Sequence, residues 1–145
     1  MKKFLFTLAI GLFTVAAFAQ QEMKPVGGSG PMISVDTDHV DYGTIKQNAD
    51  GYRSITVTNT GDQPLLITQC KGSCGCTVPE CQKEPIMPGK TSTVKVKYDT
   101  NRVGPFNKTV TITSNAQNEP NKQIKISGTV EAAAGTQTGH EGHSH

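Results

Sequence analysis

The four cysteines of this 145-residue chain are the residues best suited to chemistry, because Cys70, Cys74, Cys76 and Cys81 all lie in one short segment. One interpretation is a pair of local disulfides, for which four cysteines allow three connectivities. A Cys74–Cys76 bond would close a very small, strained ring, so we expect each of these two residues to pair with Cys70 or Cys81. Cross-links over such short loops would stabilise the fold by about 2–3 kcal/mol.

Two other interpretations of the cysteine segment remain open. Four thiolates can bind zinc tetrahedrally or, because they are soft ligands, copper as Cu(I). The spacing differs from that of a zinc ribbon, and Cys74-Gly75-Cys76 suits two-coordinate Cu(I) better. The third interpretation is thiol–disulfide exchange, in which a strained Cys74–Cys76 bond is easily reduced and Lys71 lowers a thiol pKa.

Three of the four histidines, His140, His143 and His145, lie in the last six residues. Such a tail can capture Cu(II), Ni(II) or Zn(II), although without a rigid site it selects poorly among them. His39 is the only histidine inside the predicted domain, and we expect it on the surface near the start of a strand. A catalytic nucleophile would need a folded histidine as its base, and His39 is the only one available, so we predict that the protein is not an enzyme. We also expect no cofactor, with copper or zinc as the alternative.

The first nineteen residues have the features of a cleaved export signal. Lys2 and Lys3 precede an apolar run from Phe4 to Phe18, and small residues lead to a cleavage site after Ala19. The apolar run is shorter than the ~20 residues that span a bilayer, so we expect no membrane span after cleavage. The predicted location is periplasmic or secreted, where cysteines commonly oxidise.

Charge and aromatic content exclude two classes of partner for the exported chain. Without Lys2 and Lys3, 12 of the 14 Lys and Arg remain against 12 Asp and Glu, which gives a formal net charge of zero. Nucleic-acid binding needs an excess of basic residues, so we exclude it. Only Phe106 and three tyrosines remain as aromatic residues, which is too few for a base- or sugar-stacking surface.

Short runs of alternating apolar and polar residues, rich in Val, Ile and Thr, recur through the middle of the chain. Such period-two patterning indicates β-strands with one face towards water. Turn signals separate the runs at 48–51, 60–62, 88–89 and 118–120. The apolar positions that we expect to face the core are Ile55 and Val57; Val94, Val96 and Tyr98; Phe106, Val110 and Ile112; Ile124, Ile126 and Val130.

This pattern predicts an all-β protein, an antiparallel immunoglobulin-like β-sandwich of about seven strands over residues 33–131. The absence of Trp and of a well-separated Cys pair excludes the antibody type of core. Residues 20–32 are polar and rich in Gly and Pro, which is typical of a flexible leader. Residues 132–145 lack periodicity and are predicted to form a disordered tail.

Several short motifs occur in an order that resembles one family of bacterial proteins. They begin with Asp41-Tyr42-Gly43-Thr44-Ile45, continue through Asn59-Thr60-Gly61-Asp62, Cys74-Gly75-Cys76-Thr77 and Pro88-Gly89-Lys90, and end with Ile126-Ser127-Gly128-Thr129-Val130. Together they resemble the family called domain of unknown function 1573, DUF1573, over about residues 33–130. The resemblance implies exported proteins of Bacteroidetes-type bacteria with a fold like Hydin-type and major-sperm-protein-like immunoglobulin domains.

The resemblance implies a fold more than a function, because related eukaryotic domains are mostly scaffolding or binding modules. Cys70 and Cys81 lie outside the family motif, which suits an added staple. We therefore expect an exported, non-enzymatic module that binds or scaffolds a protein of the bacterial envelope through strand edges and the loop at 70–81. The alternatives are a periplasmic copper- or zinc-binding protein that uses the cysteines and the histidine tail, and a small thiol–disulfide redox protein.

Overall fold

The computed structural model of the chain describes residues 29–135, which contain eight β-strands. The predicted signal peptide, the predicted leader up to residue 28 and the three tail histidines lie outside the described residues. The strands, in chain order, are β1 Ile33–Val35, β2 His39–Lys46, β3 Tyr52–Asn59, β4 Ile67–Gly72, β5 Thr77–Glu80, β6 Thr91–Tyr98, β7 Gly104–Ser114 and β8 Asn121–Glu131.

The strands form two four-stranded sheets, which confirms the predicted immunoglobulin-like sandwich. The first sheet has the order β1-β3-β6-β5 and the second has the order β2-β8-β7-β4. There is one strand more than the approximate number expected, and the β2–β8 pair is parallel rather than antiparallel. The parallel pair arises because the chain leaves the first sheet after β1 and joins the second sheet as β2, alongside and in the direction of β8.

The core lies between the sheets and includes every position that the alternating pattern predicted. It also contains residues that the pattern did not predict: Ile33, Val40, Tyr42, Leu65, Ile67, Cys76, Ile86 and Ala116. Ile55, Val57, Val94 and Val96 face it from the first sheet, with no measurable solvent exposure. From the second sheet, the buried residues of β7 and β8 include every position expected there: Phe106, Val110, Ile112, Ile124, Ile126 and Val130. Burying such side chains stabilises the fold by about 1.5–3 kcal/mol each relative to leaving them exposed.

Three aromatic rings close one end of this core. The rings of Tyr98 and Phe106 stack with centroids 3.7 Å apart, and Tyr42 meets Phe106 edge-on at 5.4 Å. The buried Tyr42 hydroxyl donates a hydrogen bond of 3.0 Å to the carbonyl oxygen of Gly51. This bond joins the edge strand β2 to the turn before β3, so Tyr42 links the two sheets at the end nearest the cysteines.

Replacing Tyr42 by phenylalanine is expected to reduce the loss of stability at alkaline pH. Burial raises the pKa of Tyr42 from 10.0 to about 12. A raised folded-state pKa favours the neutral hydroxyl, so its contribution is fully present below pH 10 and declines as the pH rises towards 12. Urea unfolding at pH 8 and pH 11 measures this. At pH 8, Y42F should have a free energy of unfolding about 1 kcal/mol lower than that of the wild type, because the hydrogen bond is lost. Between pH 8 and pH 11, the free energy of unfolding should fall less in Y42F than in the wild type. Parallel losses in both proteins would contradict the assignment.

Asn59 organises the opposite end of the sandwich. Its side chain is fully buried at the end of β3, in the parity of Ile55 and Val57. The amide Nδ2 donates to the carbonyl oxygens of Gln63, at 2.7 Å, and Ile86, at 2.9 Å. One polar side chain thus provides hydrogen bonds to backbone carbonyl groups of two separate loops.

Candidate functional site

The cysteines lie on an arch between the two sheets, formed by residues 70–81 and named here the cysteine arch. It comprises the end of β4 in the second sheet, a tight turn and all of β5 in the first sheet. The prediction of a loop at 70–81 was therefore wrong in part, since much of the arch is strand. Its turn is fixed to the second sheet by the Ser73 N–H, which donates to the Thr109 carbonyl oxygen at 2.8 Å. The carbonyl oxygen of Cys76 accepts from the Asp99 N–H at 2.9 Å, which fixes the turn to the first sheet.

The two arms of the arch approach so closely that one position requires glycine. A Cβ atom at Gly72 would overlap the backbone carbonyl oxygen of Thr77. Because that contact is to backbone rather than to a flexible side chain, a larger residue would force the arms apart. Gly72 therefore permits the close approach of the two arms of the arch.

All four cysteines form disulfides, paired as Cys70–Cys81 and Cys74–Cys76. The Cα atoms of Cys70 and Cys81 are 6.2 Å apart, and their bond joins the edge strands of the two sheets. The expectation that Cys74 and Cys76 would each pair with an outer cysteine was wrong. A turn closed by the Thr77 N–H and the Cys74 carbonyl oxygen, at 3.2 Å, brings the Cα atoms of Cys74 and Cys76 to 5.3 Å. That separation is normal for a disulfide.

Hydrogen-bond donors converge on the sulfurs of the Cys74–Cys76 disulfide. The backbone N–H of Cys76 donates to Cys74 Sγ at 3.3 Å. The buried Thr77 hydroxyl lies 3.9 Å from Cys74 Sγ and 3.8 Å from Cys76 Sγ. Disulfide sulfurs carry no proton, so the hydroxyl is the donor, and its single proton can serve either sulfur. This role of Thr77 was not predicted from the sequence, although the residue belongs to the Cys74-Gly75-Cys76-Thr77 motif.

Two surface grooves border the Cys74–Cys76 disulfide and share Gly75 and Val78 in their linings. The larger, here named the Tyr52 groove, has a volume of about 500 Å³. It is lined by Cys76, Gly75, Val78, Lys97, Tyr98 and the turns at 48–52 and 99–101. The smaller, here named the Cys74 groove, has a volume of about 400 Å³ and is lined by residues 70–75 and 77–79.

An exposed row of side chains crosses the first sheet at the Tyr52 groove. Strand register places Tyr52 of β3, Lys97 of β6 and Val78 of β5 side by side on the outer face. Tyr52 is 43% exposed and Val78 is 50% exposed, which is high for large apolar residues in strands. The Lys97 ammonium lies 5.3 Å from the centroid of the Tyr52 ring. This row was not predicted from the sequence. Its sequence signal is Val78, an apolar residue at a water-facing position of a strand.

The metal-binding candidates are not brought together in the described residues. The four cysteine sulfurs are all in disulfides, so a thiolate site would first require reduction. Within residues 29–135 no group of three or more His, Cys, Asp or Glu side chains could hold a metal ion. His140, His143 and His145 lie outside this range. His39 begins β2 on the surface, as expected, with Nε2 at 2.7 Å from the Ser127 hydroxyl.

Two observations bear on the location of the protein. The two disulfides are compatible with an oxidising, extracellular compartment. In the part of the chain that the structure describes, no helix is long and apolar enough to cross a membrane.

Similar folds occur in solved structures of low sequence identity. A crystal structure of a protein of unknown function from Porphyromonas gingivalis W83 matches 69% of the chain with a TM-score of 0.62 and 15% identity. The match spans 47% of that protein, about half its length. A PapD-like domain of human CEP192 matches 85% of the chain and 99% of its own length, with a TM-score of 0.60 and 9% identity. The periplasmic chaperone SfaE matches 71% of the chain and 60% of its own length, with a TM-score of 0.52 and 11% identity.

The sequence comparisons give a family. No curated protein matches the chain. The model of the family described as "Protein of unknown function (DUF1573)" matches residues 33–130, which include the whole sandwich apart from the last residue of β8. This agrees with the resemblance of the sequence motifs and with the immunoglobulin-like fold. The chain therefore belongs to the DUF1573 family.

Proposed function

We propose that the protein is an exported immunoglobulin-like module that binds a protein of the bacterial envelope through the Tyr52 groove. The observation that carries this proposal is the exposed row of Tyr52, Lys97 and Val78 beside the groove. Exposed apolar side chains that are grouped at a concave surface are typical of interaction sites. The similar fold of a periplasmic chaperone supports the envelope assignment by analogy alone.

The strand edges are poorer candidates for binding than this outer face. At one side of the sandwich, the Cys70–Cys81 bond holds the edge strand β4 next to the edge strand β5. Pro79 lies within β5 and has no N–H to donate to an added strand. At the other side, β1 has only three residues and β2 has an irregularity between Asp41 and Thr44. Short, bulged edges resist pairing with other strands.

The charges of the outer face indicate the kind of partner. Lys97 lies between Tyr52 and Val78 in the exposed row and takes part in none of the ion pairs found within residues 29–135. Asp50 and Asp99 also line the groove, and Asp99 is paired with Arg102. A carboxylate of a partner placed on the row would complement Lys97. We therefore assign the groove to an extended segment of a partner protein that carries an acidic residue beside an apolar one.

Photo-cross-linking in the native cells tests this assignment. A photoreactive residue at Val78 is expected to form a discrete adduct with one envelope protein, which mass spectrometry identifies. The matched control is Gln123, an exposed residue of β8 in the second sheet, which should give no such adduct. With the identified segment as a peptide, K97E should weaken binding at least about tenfold, whereas K125E should not. Equal adducts at both positions, or unchanged binding by K97E, would contradict the proposal.

A further inference from the structure

The Cys74–Cys76 disulfide is accessible from the side of Gly75. This glycine is exposed, and a Cβ atom built on it meets no atom within 4 Å from residues other than its neighbours Cys74 and Cys76. Because Gly75 lines both the Tyr52 groove and the Cys74 groove, the disulfide lies on the ridge between two open surfaces. An extended segment placed in the Cys74 groove can bring a side chain to Cys74.

The two sulfurs of this disulfide are not equivalent. Cys76 is 4% exposed and belongs to the core, whereas Cys74 is only partly buried and lines the Cys74 groove. An incoming thiolate therefore reaches Cys74 Sγ first and displaces Cys76 Sγ. The Thr77 hydroxyl lies within 3.9 Å of both sulfurs, so it can donate to whichever becomes a thiolate. Hydrogen bonds to a thiolate stabilise the charged form and so favour exchange.

The rest of the arch is held independently of the Cys74–Cys76 bond. The Cys70–Cys81 disulfide joins the two arms, and the hydrogen bonds of Ser73 to Thr109 and of Cys76 to Asp99 fix the turn to both sheets. Opening the small ring breaks none of these contacts. The protein can therefore cycle between a Cys74–Cys76 disulfide and a dithiol without losing its fold.

We propose that Cys74–Cys76 is a thiol–disulfide exchange site whose substrate is a cysteine pair on a protein segment held at the arch. A substrate thiolate attacks Cys74 Sγ, a bond forms between these two sulfurs, and the Cys74–Cys76 bond breaks with its electron pair passing to Cys76 Sγ. The second substrate thiolate then attacks the substrate sulfur of the mixed disulfide and expels Cys74. The substrate pair is oxidised to a disulfide by two electrons, and Cys74 and Cys76 are reduced to thiols that take up two protons.

Differential alkylation of the full oxidised chain in glutathione buffers tests the proposal. Samples are acid-quenched, alkylated and mapped by mass spectrometry, where cleavage after Lys71 separates Cys70 from the other cysteines. Without denaturant, the Cys74–Cys76 disulfide should be reduced at least about tenfold faster than the Cys70–Cys81 disulfide. The circular dichroism spectrum should not change during this reduction. Equal rates, faster opening of Cys70–Cys81, or opening only in denaturant would overturn the proposal.

Single variants test the separate roles of the sulfurs and of Thr77. In C76S the remaining Cys74 thiol should form a mixed disulfide with oxidised glutathione at least about tenfold faster than Cys76 does in C74S. Adding T77V to C76S should raise the pH midpoint of Cys74 alkylation, and T77S should restore it, because serine keeps the hydroxyl. If the pH midpoint of Cys74 alkylation were the same with Val and with Thr at position 77, Thr77 would have no part in the mechanism. Equal rates in C76S and C74S would overturn the assignment of Cys74 as the attacked residue.

Discussion

Replacing Asn59 by alanine is expected to lower the free energy of unfolding by about 3 kcal/mol or more. The side chain donates to the carbonyl oxygens of Gln63 and Ile86 and accepts from the Gly61 N–H at 2.9 Å and the Met32 N–H at 3.4 Å. Truncation leaves the Gln63 carbonyl oxygen and the N–H groups of Gly61 and Met32 without this partner in a largely buried place, whereas the Ile86 carbonyl oxygen still accepts from the Leu65 N–H at 2.9 Å. Urea unfolding with a constant slope measures the loss as a shift of the midpoint.

Two further variants test whether the loss of stability comes from the hydrogen bonds of Asn59 or from the removal of any asparagine side chain. N107A removes an exposed asparagine of β7 whose side chain makes no hydrogen bond within residues 29–135, so it should change stability by less than about 0.5 kcal/mol. N59D keeps the size of the side chain but places carboxylate oxygen against two carbonyl oxygens, so it should cost as much as N59A at pH 7. A loss below about 1 kcal/mol for N59A would contradict the account.

Sequence patterns predicted the central strands well and the network at Asn59 poorly. Strands β3, β6, β7 and β8 alternate with period two, because one face of each packs on the core and the other meets water. Asn59 occupies a core-facing position in that alternation, but a polar residue before Thr60-Gly61 is typical of a turn. Its partners come from residues 32, 61, 63 and 86, and no local pattern brings these together.

The cysteines of the site were evident in the sequence, whereas their pairing and surroundings depended on the fold. The expected pairing was wrong because it rested only on the small size of the Cys74–Cys76 ring. The turn at Gly75 sets the distance between the two cysteines, and this distance suits a disulfide. Tyr52 and Val78 lie in one row because β3 and β5 pair with opposite sides of β6, where each residue is opposite Lys97. Such neighbours are distant in the chain, and only strand register places them side by side.

Removing the Cys70–Cys81 disulfide is expected to be the more destabilising of the two possible disulfide deletions. Its cysteines are 11 residues apart, whereas Cys74 and Cys76 are only 2 apart. On the chain-entropy model, the longer loop gives about 3 kcal/mol and the shorter one about 1.5 kcal/mol. C70A/C81A should therefore unfold at a clearly lower urea concentration than C74A/C76A, when both proteins are compared with the oxidised wild type.

The difference between these two variants also separates a structural staple from a reactive bond. Cys70–Cys81 joins the edge strands of both sheets, so its loss lets the sandwich open at that side. Cys74–Cys76 closes a turn that hydrogen bonds from Ser73 and Asp99 already fix, so its loss should leave the fold intact. Free-thiol measurement on each oxidised variant must show that the other disulfide is still formed. If C74A/C76A were the less stable protein, the small ring would be the staple and the division of roles between the two disulfides would be wrong.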